Sequence, residues 1–194
     1  NDDILIYDNS DLKSSCRCWF SLLYFGHDEK KIHVLNGGLK KWIFENKPIT
    51  KGTTEIIESS YVANKKENLV VSLDQIKKNI LSKSFNVIDA RSLERFEGKV
   101  SEPRKGLRSG HIQNSFCLPF NQCINQKTGE FKNLEELREL FNQNENIEKR
   151  LDQVFTCGSG VTAAVLAYAY KMVNNDYIPK IYDGSWSEYG KYPA

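Results

Sequence analysis

The chain has 194 residues, enough for one complete α/β domain and part of another. Hydrophobic residues make up 40% and charged residues 27%, the ordinary composition of a globular protein, and a net charge of +2 gives no reason to expect nucleic acid as a direct partner. No apolar run approaches the roughly 18 residues that a membrane span requires, so we expect no membrane partner either.

The cysteine and histidine pattern argues against a metal site. Five cysteines include no Cys-x-x-Cys pair, and the three histidines are well separated along the chain. An odd set of cysteines suits a reducing compartment better than a secreted disulfide framework. We therefore expect no metal and a cytoplasmic protein, or a mitochondrial one if it is eukaryotic.

The first 48 residues predict a strand, a helix, a second strand and a short helix. Residues 4–8 read as a buried strand, residues 31–35 as another, and a turn at Gly37 opens a helix that contains Trp42. The first helix is predicted over residues 12–26. Its apolar face comprises Leu12, Cys16, Trp19, Phe20 and Leu23.

This segment repeats the end of the chain. Asp8 falls opposite Cys157 at a spacing of 149 residues, and Gly37 opposite Gly184 at a spacing of 147. Two strands cannot bury a core alone, so we interpret residues 1–48 as the C-terminal part of a domain whose remainder lies upstream. The polar residues 49–71 read as an interdomain linker, and residues 72–194 as a complete domain.

Strands and helices alternate in residues 72–194. The predicted strands are 85–89, 115–118, 153–156 and 179–182, and a long polar loop occupies 92–111. Three helices are predicted. The first follows Ser72 and has on one side Leu73, Ile76, Ile80 and Leu81. The second follows Asn133, with a capping box completed by Glu136, and the third occupies residues 161–174. This alternation predicts an α/β fold with a parallel sheet covered by helices on both faces. Ligands gather at the carboxyl ends of such strands, where Asp89, Cys157 and Asp183 fall.

Cys157 stands between a strand and a small-residue helix, in a turn bracketed by two glycines. Gly158 and Gly160 permit backbone conformations that a Cβ penalises, so the turn can direct several N–H groups at the sulfur. The positive end of the helix dipole favours an anion there. These features predict a nucleophilic thiolate at neutral pH, the alternative being a buried structural cysteine.

Two motifs carry a resemblance to a known family. Cys157-Gly-Ser-Gly-Val-Thr-Ala, followed downstream by Tyr182-Asp-Gly-Ser-Trp, resembles the active-site domain of the 3-mercaptopyruvate sulfurtransferases, two-domain members of the rhodanese superfamily. The resemblance implies rhodanese-like domains, the first catalytically silent, with Asp8 where the cysteine is lost. It also implies sulfur transfer from 3-mercaptopyruvate to a thiol or cyanide through a persulfide on Cys157, with no cofactor.

The same resemblance assigns roles around the cysteine. Arg95 and Arg104 would bind the carboxylate and carbonyl of the donor, a small anion, as a guanidinium fork matches a planar carboxylate. Ser159 would relay a proton to the departing enolate or polarise the carbonyl. The N–H groups of the turn would cradle the outer sulfur. The cradle residues are Gly158, Gly160, Val161 and Thr162.

Other residues near these motifs receive structural interpretations. We expect Arg91 to pair across the sheet edge as a strut, Arg108 to be a solvated loop charge, and His111 to hold a turn rather than act as a general base. Trp186 is expected either to contact substrate or to pack in the core or at its edge. The family further implies a small thiol or reduced thioredoxin as acceptor, and some members feed sulfur to tRNA thiolation.

Three other functions remain as alternatives of unequal weight. The neutral turn at Gly158 and Ser159 suits a monoanionic keto acid, but thiosulfate sulfurtransferase is the nearest rival. Phosphatase chemistry is strongly disfavoured, because Ala163 stands where a Cys-x₅-Arg loop needs arginine. A non-catalytic sulfur carrier or interaction module is the third possibility. A phosphate-binding P-loop is excluded, since the turn lacks the Gly-Lys-Ser/Thr ending.

Overall fold

The computed structural model describes residues 2–55, 57–143 and 147–192. These residues form a two-stranded and a four-stranded sheet, both parallel throughout. The parallel α/β architecture predicted from the alternating pattern is therefore confirmed. In the parts of the chain that the structure describes, no helix is long and apolar enough to cross a lipid bilayer.

The N-terminal segment has the predicted order of elements. It contains β1 (Ile4–Ile6), α1 (Ser15–Tyr24), β2 (Ile32–Val34) and α2 (Gly38–Phe44). Strands β1 and β2 pair in parallel, with Ile4 opposite Ile32. The prediction of a buried first strand is wrong in part, because Leu5 is 57% exposed. With only one neighbouring strand, this small sheet leaves part of its surface open.

Helix α1 begins three residues later than the sequence pattern predicts. The Asp8 carboxylate accepts hydrogen bonds from the N–H groups of Ser10, at 3.0 Å, and Ser15, at 2.6 Å, which fixes the chain ahead of the helix. Leu12 therefore lies in a turn and is 52% exposed, so its predicted place on the buried face is wrong. The remaining predicted face is buried: Cys16, Trp19, Phe20 and Leu23.

The larger sheet has the strand order β4-β3-β5-β6. Its strands are β3 (Phe85–Asp89), β4 (Ser115–Cys117), β5 (Asp152–Thr156) and β6 (Lys180–Ile181). The helices of this region are α3 (Leu73–Ser82), α4 (Leu93–Phe96), α5 (Leu134–Asn142), α6 (Val161–Val173) and α7 (Ser185–Tyr189). The predicted capping box of Asn133 with Glu136 is confirmed, and Ser72, predicted as the cap of α3, forms a second capping box with Gln75.

Two further expectations in this region are wrong. Leu81 is 89% exposed, and the buried position on that part of α3 is Asn79, whose amide bonds both backbone groups of Phe85. A polar side chain is accepted there because its hydrogen-bonding groups are satisfied. The long loop after β3 also contains a helix, α4, which the polar sequence does not reveal.

Each face of the larger sheet is covered by its own apolar cluster. Along β5, Val154 belongs to one cluster and Phe155 to the other, as the two-residue period of a strand requires. Helix α1 shares the cluster of Phe155, and Trp19 meets Tyr168 of α6 edge to face, with ring centroids 5.0 Å apart. The N-terminal segment therefore packs directly on the helix that follows Cys157.

The end of the predicted linker also contacts the sheet. Val70 forms a parallel bridge with Ile181, and the N–H of Val71 donates to the carbonyl of Ile181 at 2.9 Å. Leu69 and Val71 are buried. These contacts hold the chain beside β6 before α3 begins.

Candidate active site

The predicted site residues gather at the carboxyl edge of the larger sheet. Asp89 ends β3, Cys157 follows β5, and Asp183 follows β6. Asp89 and Thr156 are register partners, which places the ends of β3 and β5 side by side. The topology therefore brings the three predicted strand-end positions to one edge, as expected for a parallel sheet.

The backbone around Cys157 is fixed by the segment that starts α7. Cys157 donates its N–H to the Ser185 hydroxyl at 3.2 Å, and its carbonyl accepts from the N–H of Trp186 at 2.9 Å. The carbonyl of Gly158 accepts from the N–H of Ser187, also at 2.9 Å. Three hydrogen bonds thus tie the turn after β5 to the turn after β6.

Ser185 is a functional residue that sequence reasoning missed. Its side chain is fully buried, its hydroxyl donates to the carbonyl of Tyr182 at 2.8 Å, and its φ of +51° lies in the left-handed region. A serine in this conformation is uncommon, and only its contacts with the Cys157 turn explain it. The available signal is the Asp183-Gly184-Ser185-Trp186 sequence, which we expect to pack beside the turn after Cys157, although the hydrogen bonds of the Ser185 hydroxyl follow only from the structure.

The sulfur of Cys157 lies beside the start of α6. Cys157 is 2% exposed, and the N–H of Ser159 donates to its Sγ at 3.4 Å. The next N–H groups belong to the first turn of α6, at Val161 and Thr162, where a helix offers no internal acceptor. Amide dipoles aligned with the helix axis make this end favourable for an anion.

The two arginines predicted to bind a donor lie over Gly158. A side-chain carbon at this position would be 3.1 Å from Nη2 of Arg95 and 3.6 Å from Nη1 of Arg104. Both guanidinium groups are therefore next to Cys157, although they come from a separate loop. Because glycine has no side chain, position 158 leaves space for these two cationic groups beside the turn.

Arg95 is held in place by a buried carboxylate. Glu102 accepts from Nε of Arg95 at 3.2 Å and from Nη2 at 2.5 Å, and only 2% of the Glu102 side chain is exposed. Two parallel contacts fix the plane of the guanidinium group. Because 24% of the Arg95 side chain stays exposed, it can still meet a ligand.

Arg91 is the predicted strut. Its side chain is fully buried and donates to Asp89 at 2.7 Å, to Glu102 at 2.9 Å and to the carbonyl of Gly110 at 2.8 Å. Its guanidinium carbon also lies 4.4 Å from the ring centroid of Trp186. These bonds join the end of β3 to the middle and the far end of the arginine-bearing loop, so a buried charge is fully paired.

Two other loop residues can be assigned from their contacts. The expectation that Arg108 is a solvated charge is wrong: its guanidinium carbon lies 4.6 Å from the Trp186 ring centroid, and its Nε donates to the carbonyl of Tyr192 at 2.9 Å. His111 stacks on Phe96 with ring centroids 4.0 Å apart, and its Nδ1 lies 2.8 Å from the carbonyl of Phe96. His111 thus has the structural place that was expected.

Another arginine, which comes from the N-terminal segment, also reaches the site. Arg17 of α1 makes a two-point ion pair with Asp183, and this partner raises the pKa of the guanidinium group above its usual value. Sequence reasoning missed Arg17, because no motif connects positions 166 residues apart. Among the described residues, no group of three or more His, Cys, Asp or Glu side chains could hold a metal ion.

Burial changes the acidity of three other cysteines, Cys16, Cys117 and Cys123. Burial raises the pKa of the Cys117 thiol to about 12 and that of Cys123 to about 12, and it raises the pKa of Cys16 further still. These three sulfurs therefore remain protonated at neutral pH. Cys18 is exposed on α1.

Comparison with known proteins places this geometry in context. The family described as "Rhodanese-like domain" matches residues 72–192. "Thiosulfate/3-mercaptopyruvate sulfurtransferase 2" of Arabidopsis thaliana is 38% identical over 214 residues, which cover 100% of this chain and 61% of that protein. Human "3-mercaptopyruvate sulfurtransferase" is 36% identical over 188 residues, covering 96% of this chain and 62% of that one.

A solved structure agrees with these relatives. SseA from Escherichia coli, described with the 3-mercaptopyruvate sulfotransferases and their rhodanese fold, superposes with a TM-score of 0.79 at 32% identity. The superposition covers 95% of this chain and 66% of SseA. The chain thus spans about three fifths of the length of the curated relatives it matches.

Proposed function

The chain belongs to the rhodanese family, and we propose that it acts as a sulfurtransferase that takes sulfur from 3-mercaptopyruvate. In this proposal Cys157 accepts the sulfur as a persulfide, pyruvate leaves, and a thiol or cyanide then removes the outer sulfur. The observation that carries it is the approach of Arg95 and Arg104 to Gly158, beside a cysteine at the start of a helix.

The two arginines supply what a small keto-acid anion needs. A carboxylate accepts two parallel hydrogen bonds from one guanidinium group, and the neighbouring carbonyl oxygen accepts from a second. Glu102 fixes the orientation of Arg95, so little conformational freedom is lost when the donor binds. Such a donor would be held with its thiol directed towards Cys157.

The first half-reaction forms one bond and breaks one. The Cys157 thiolate attacks the donor sulfur, an S–S bond forms, and the C–S bond breaks with its electron pair passing to carbon as the enolate of pyruvate. The enolate takes up a proton to become pyruvate, and we assign Ser159 to the relay of that proton. The outer sulfur left on Cys157 is anionic.

The start of α6 supports the anionic persulfide. The N–H of Ser159 already donates to Sγ, and the unpaired N–H groups at Val161 and Thr162 lie at the positive end of the helix dipole. In the second half-reaction an acceptor thiolate attacks the outer sulfur, the S–S bond breaks, and the Cys157 thiolate is regenerated. A small thiol or a thioredoxin is the acceptor we propose.

We propose a reducing cell compartment because the cysteines form no disulfide bonds in the described residues. The structure describes all five as free, which suits a reducing compartment, either the cytoplasm or the mitochondrial matrix. Cell fractionation with an antibody against this chain tests the proposal. Recovery with secreted proteins would contradict it.

Intact-protein mass spectrometry tests the function directly. After incubation with 3-mercaptopyruvate, the wild-type chain should gain one sulfur atom, whereas Cys157→Ser should gain none. Arg95→Lys and Arg104→Lys keep the positive charge but lose the planar guanidinium group that donates two parallel hydrogen bonds. Each should therefore lower kcat/KM for this donor roughly 10- to 100-fold. A folded wild-type chain that gains no sulfur from any donor would refute the proposal.

Thiosulfate is the second candidate donor. Two cationic groups beside one cysteine also suit a dianion, and the Arabidopsis relative carries both donors in its name. Against it, Gly158 and Ser159 add no further positive charge to the turn. Comparing kcat/KM for the two donors decides, and a higher value for thiosulfate would move the assignment to that substrate.

A further inference from the structure

One ion pair links the N-terminal segment to the cysteine turn. Arg17 lies on α1, and both of its terminal nitrogens donate to the Asp183 carboxylate, Nη2 to Oδ2 at 3.2 Å. About a third of each side chain is exposed, so the pair is partly shielded from water. Helix α1 is held against α6 by its own apolar face, which fixes the base of Arg17 independently of this bond.

The pair lies against the residue that precedes α6. Gly160 is the N-cap of that helix, with a φ of +79°. A side-chain carbon at this position would overlap the Asp183 carboxylate and lie 2.7 Å from Nη1 of Arg17. The carboxylate is therefore an anion next to the helix end at which the sulfur of Cys157 also lies.

This arrangement poses an electrostatic problem. The positive end of a helix favours any nearby anion, so a free Asp183 carboxylate would compete for the same N–H groups as the sulfur. It would also repel a thiolate or a persulfide anion at close range. A cation bonded to both carboxylate oxygens removes the competition and most of the repulsion.

We propose that Arg17 is a positioning residue for Cys157: it holds the Asp183 carboxylate away from the N–H groups at the start of α6 and balances its charge, so that the sulfur is the anion favoured there. The proposal rests on the proposed function only in naming Cys157 as the reacting group. In support, the bond to Asp183 is the main cause of the raised pKa of the Arg17 guanidinium group, and the nearby Cys157 is a minor one.

Among the described residues, the other charged groups near the Cys157 turn make no hydrogen bond or ion pair with the Arg17–Asp183 pair. Arg95 and Arg104 lie against Gly158, and Glu102 holds Arg95. The neighbouring Asp89–Arg91 pair, at the end of β3, is buried and bonded internally. A change in the ionisation of Cys157 can therefore be traced to the Arg17–Asp183 pair.

The test measures thiol ionisation without any sulfur donor. The rate of alkylation of Cys157 by iodoacetamide is followed against pH by peptide mass spectrometry, in a Cys18→Ser background that removes the exposed competing thiol. Arg17→Gln should raise the midpoint of this profile by roughly 0.5–1 pH unit, because an unpaired negative charge remains nearby. Asp183→Asn should lower it by a similar amount, because an unpaired positive charge remains.

The double variant and two controls complete the test. Arg17→Gln combined with Asp183→Asn leaves no net charge, so its midpoint should return to within about 0.3 unit of the wild type. Arg17→Lys keeps the charge and should shift the midpoint less than Arg17→Gln. Arg138→Gln removes an exposed guanidinium group from α5 and should leave the midpoint unchanged.

Opposite shifts for the two single variants support the proposal, since a merely structural bridge would give shifts of one sign. Equal signs, or no shift in either variant, overturn it. If Arg17→Gln does not fold by circular dichroism, Asp183→Asn decides alone: a lowered midpoint supports the proposal, and an unchanged or raised one overturns it. The variants can shift the midpoint as expected while the wild-type chain gains no sulfur from any donor. That result would refute the proposed function and leave this inference standing.

Discussion

Replacing Gly160 by alanine separates two reasons for a glycine at the start of α6. The first is backbone conformation, because a φ of +79° is one that an L side chain adopts at a cost. The second is space, since a methyl group would meet the ends of Asp183 and Arg17 and lie 3.2 Å from the carbonyl oxygen of Asp183. Gly106 provides a matched control: its φ is +81°, and a methyl group there would meet nothing within 4 Å.

The two variants should differ little in stability and strongly in activity. The left-handed conformation costs about 1–2 kcal/mol for either alanine. In Gly160→Ala the ion pair must also move, and since 39% of Asp183 and 32% of Arg17 are exposed, its loss adds only about 0.2–1 kcal/mol. The displaced turn, however, no longer aligns its N–H groups, and a misplacement of about 1 Å can lower turnover roughly 100-fold.

Urea denaturation and steady-state sulfur transfer measure the two effects separately. We expect unfolding free energies within about 1 kcal/mol of each other, turnover near wild type for Gly106→Ala, and turnover roughly 10- to 100-fold lower for Gly160→Ala. Equal turnover in the two variants would refute the steric argument. A Gly160→Ala chain as stable as the wild type would refute the conformational one.

Two further predictions concern buried groups. Glu102→Gln leaves the buried Arg91 with one carboxylate partner instead of two. The free energy of unfolding in urea should therefore fall by about 2–3 kcal/mol, and the KM for the donor should rise. Unchanged values of both would contradict this account. Burial raises the pKa of Cys117 and of Cys123 to about 12, so iodoacetamide at pH 8 should label Cys157 before these two in peptide maps, and faster labelling of either would contradict the prediction. Since the folded-state pKa of these two thiols exceeds that of an unfolded thiol, their stabilising contribution should be lost as pH rises from about 9 towards 12, which alkaline denaturation can follow.

The fold class could be predicted because its signals are local. Alternating strand and helix patterns require parallel pairing, and the two-residue period of β5 places Val154 and Phe155 on opposite faces whatever packs there. The turn after Cys157 is also local, since only four residues, two of them glycines, separate the end of β5 from the start of α6. The family followed from these motifs together, whereas the domain boundaries and the role of Ser159 stay predictions.

The failures arise where burial depends on a neighbour that is distant in sequence. Leu12 and Leu81 continue apolar patterns, yet Leu12 lies in a turn ahead of α1 and Leu81 near the end of α3, and both are exposed. Arg108 looks solvated in a polar loop, but that loop folds back until its guanidinium group stacks on Trp186, 78 residues later. Neither outcome can be read from a short stretch of sequence.

The sequence by itself determined the place of Cys157 at a strand end, its glycine-bracketed turn, the helix behind it and the parallel sheet, because each depends on residues close together in the chain. Only the tertiary structure decided which charges surround the sulfur. Arg95 and Arg104 reach Gly158 from another loop, and Arg17 reaches Asp183 across 166 residues. Chain connectivity places no constraint on such pairs, and the packing of α1 on α6 brings the last of them together.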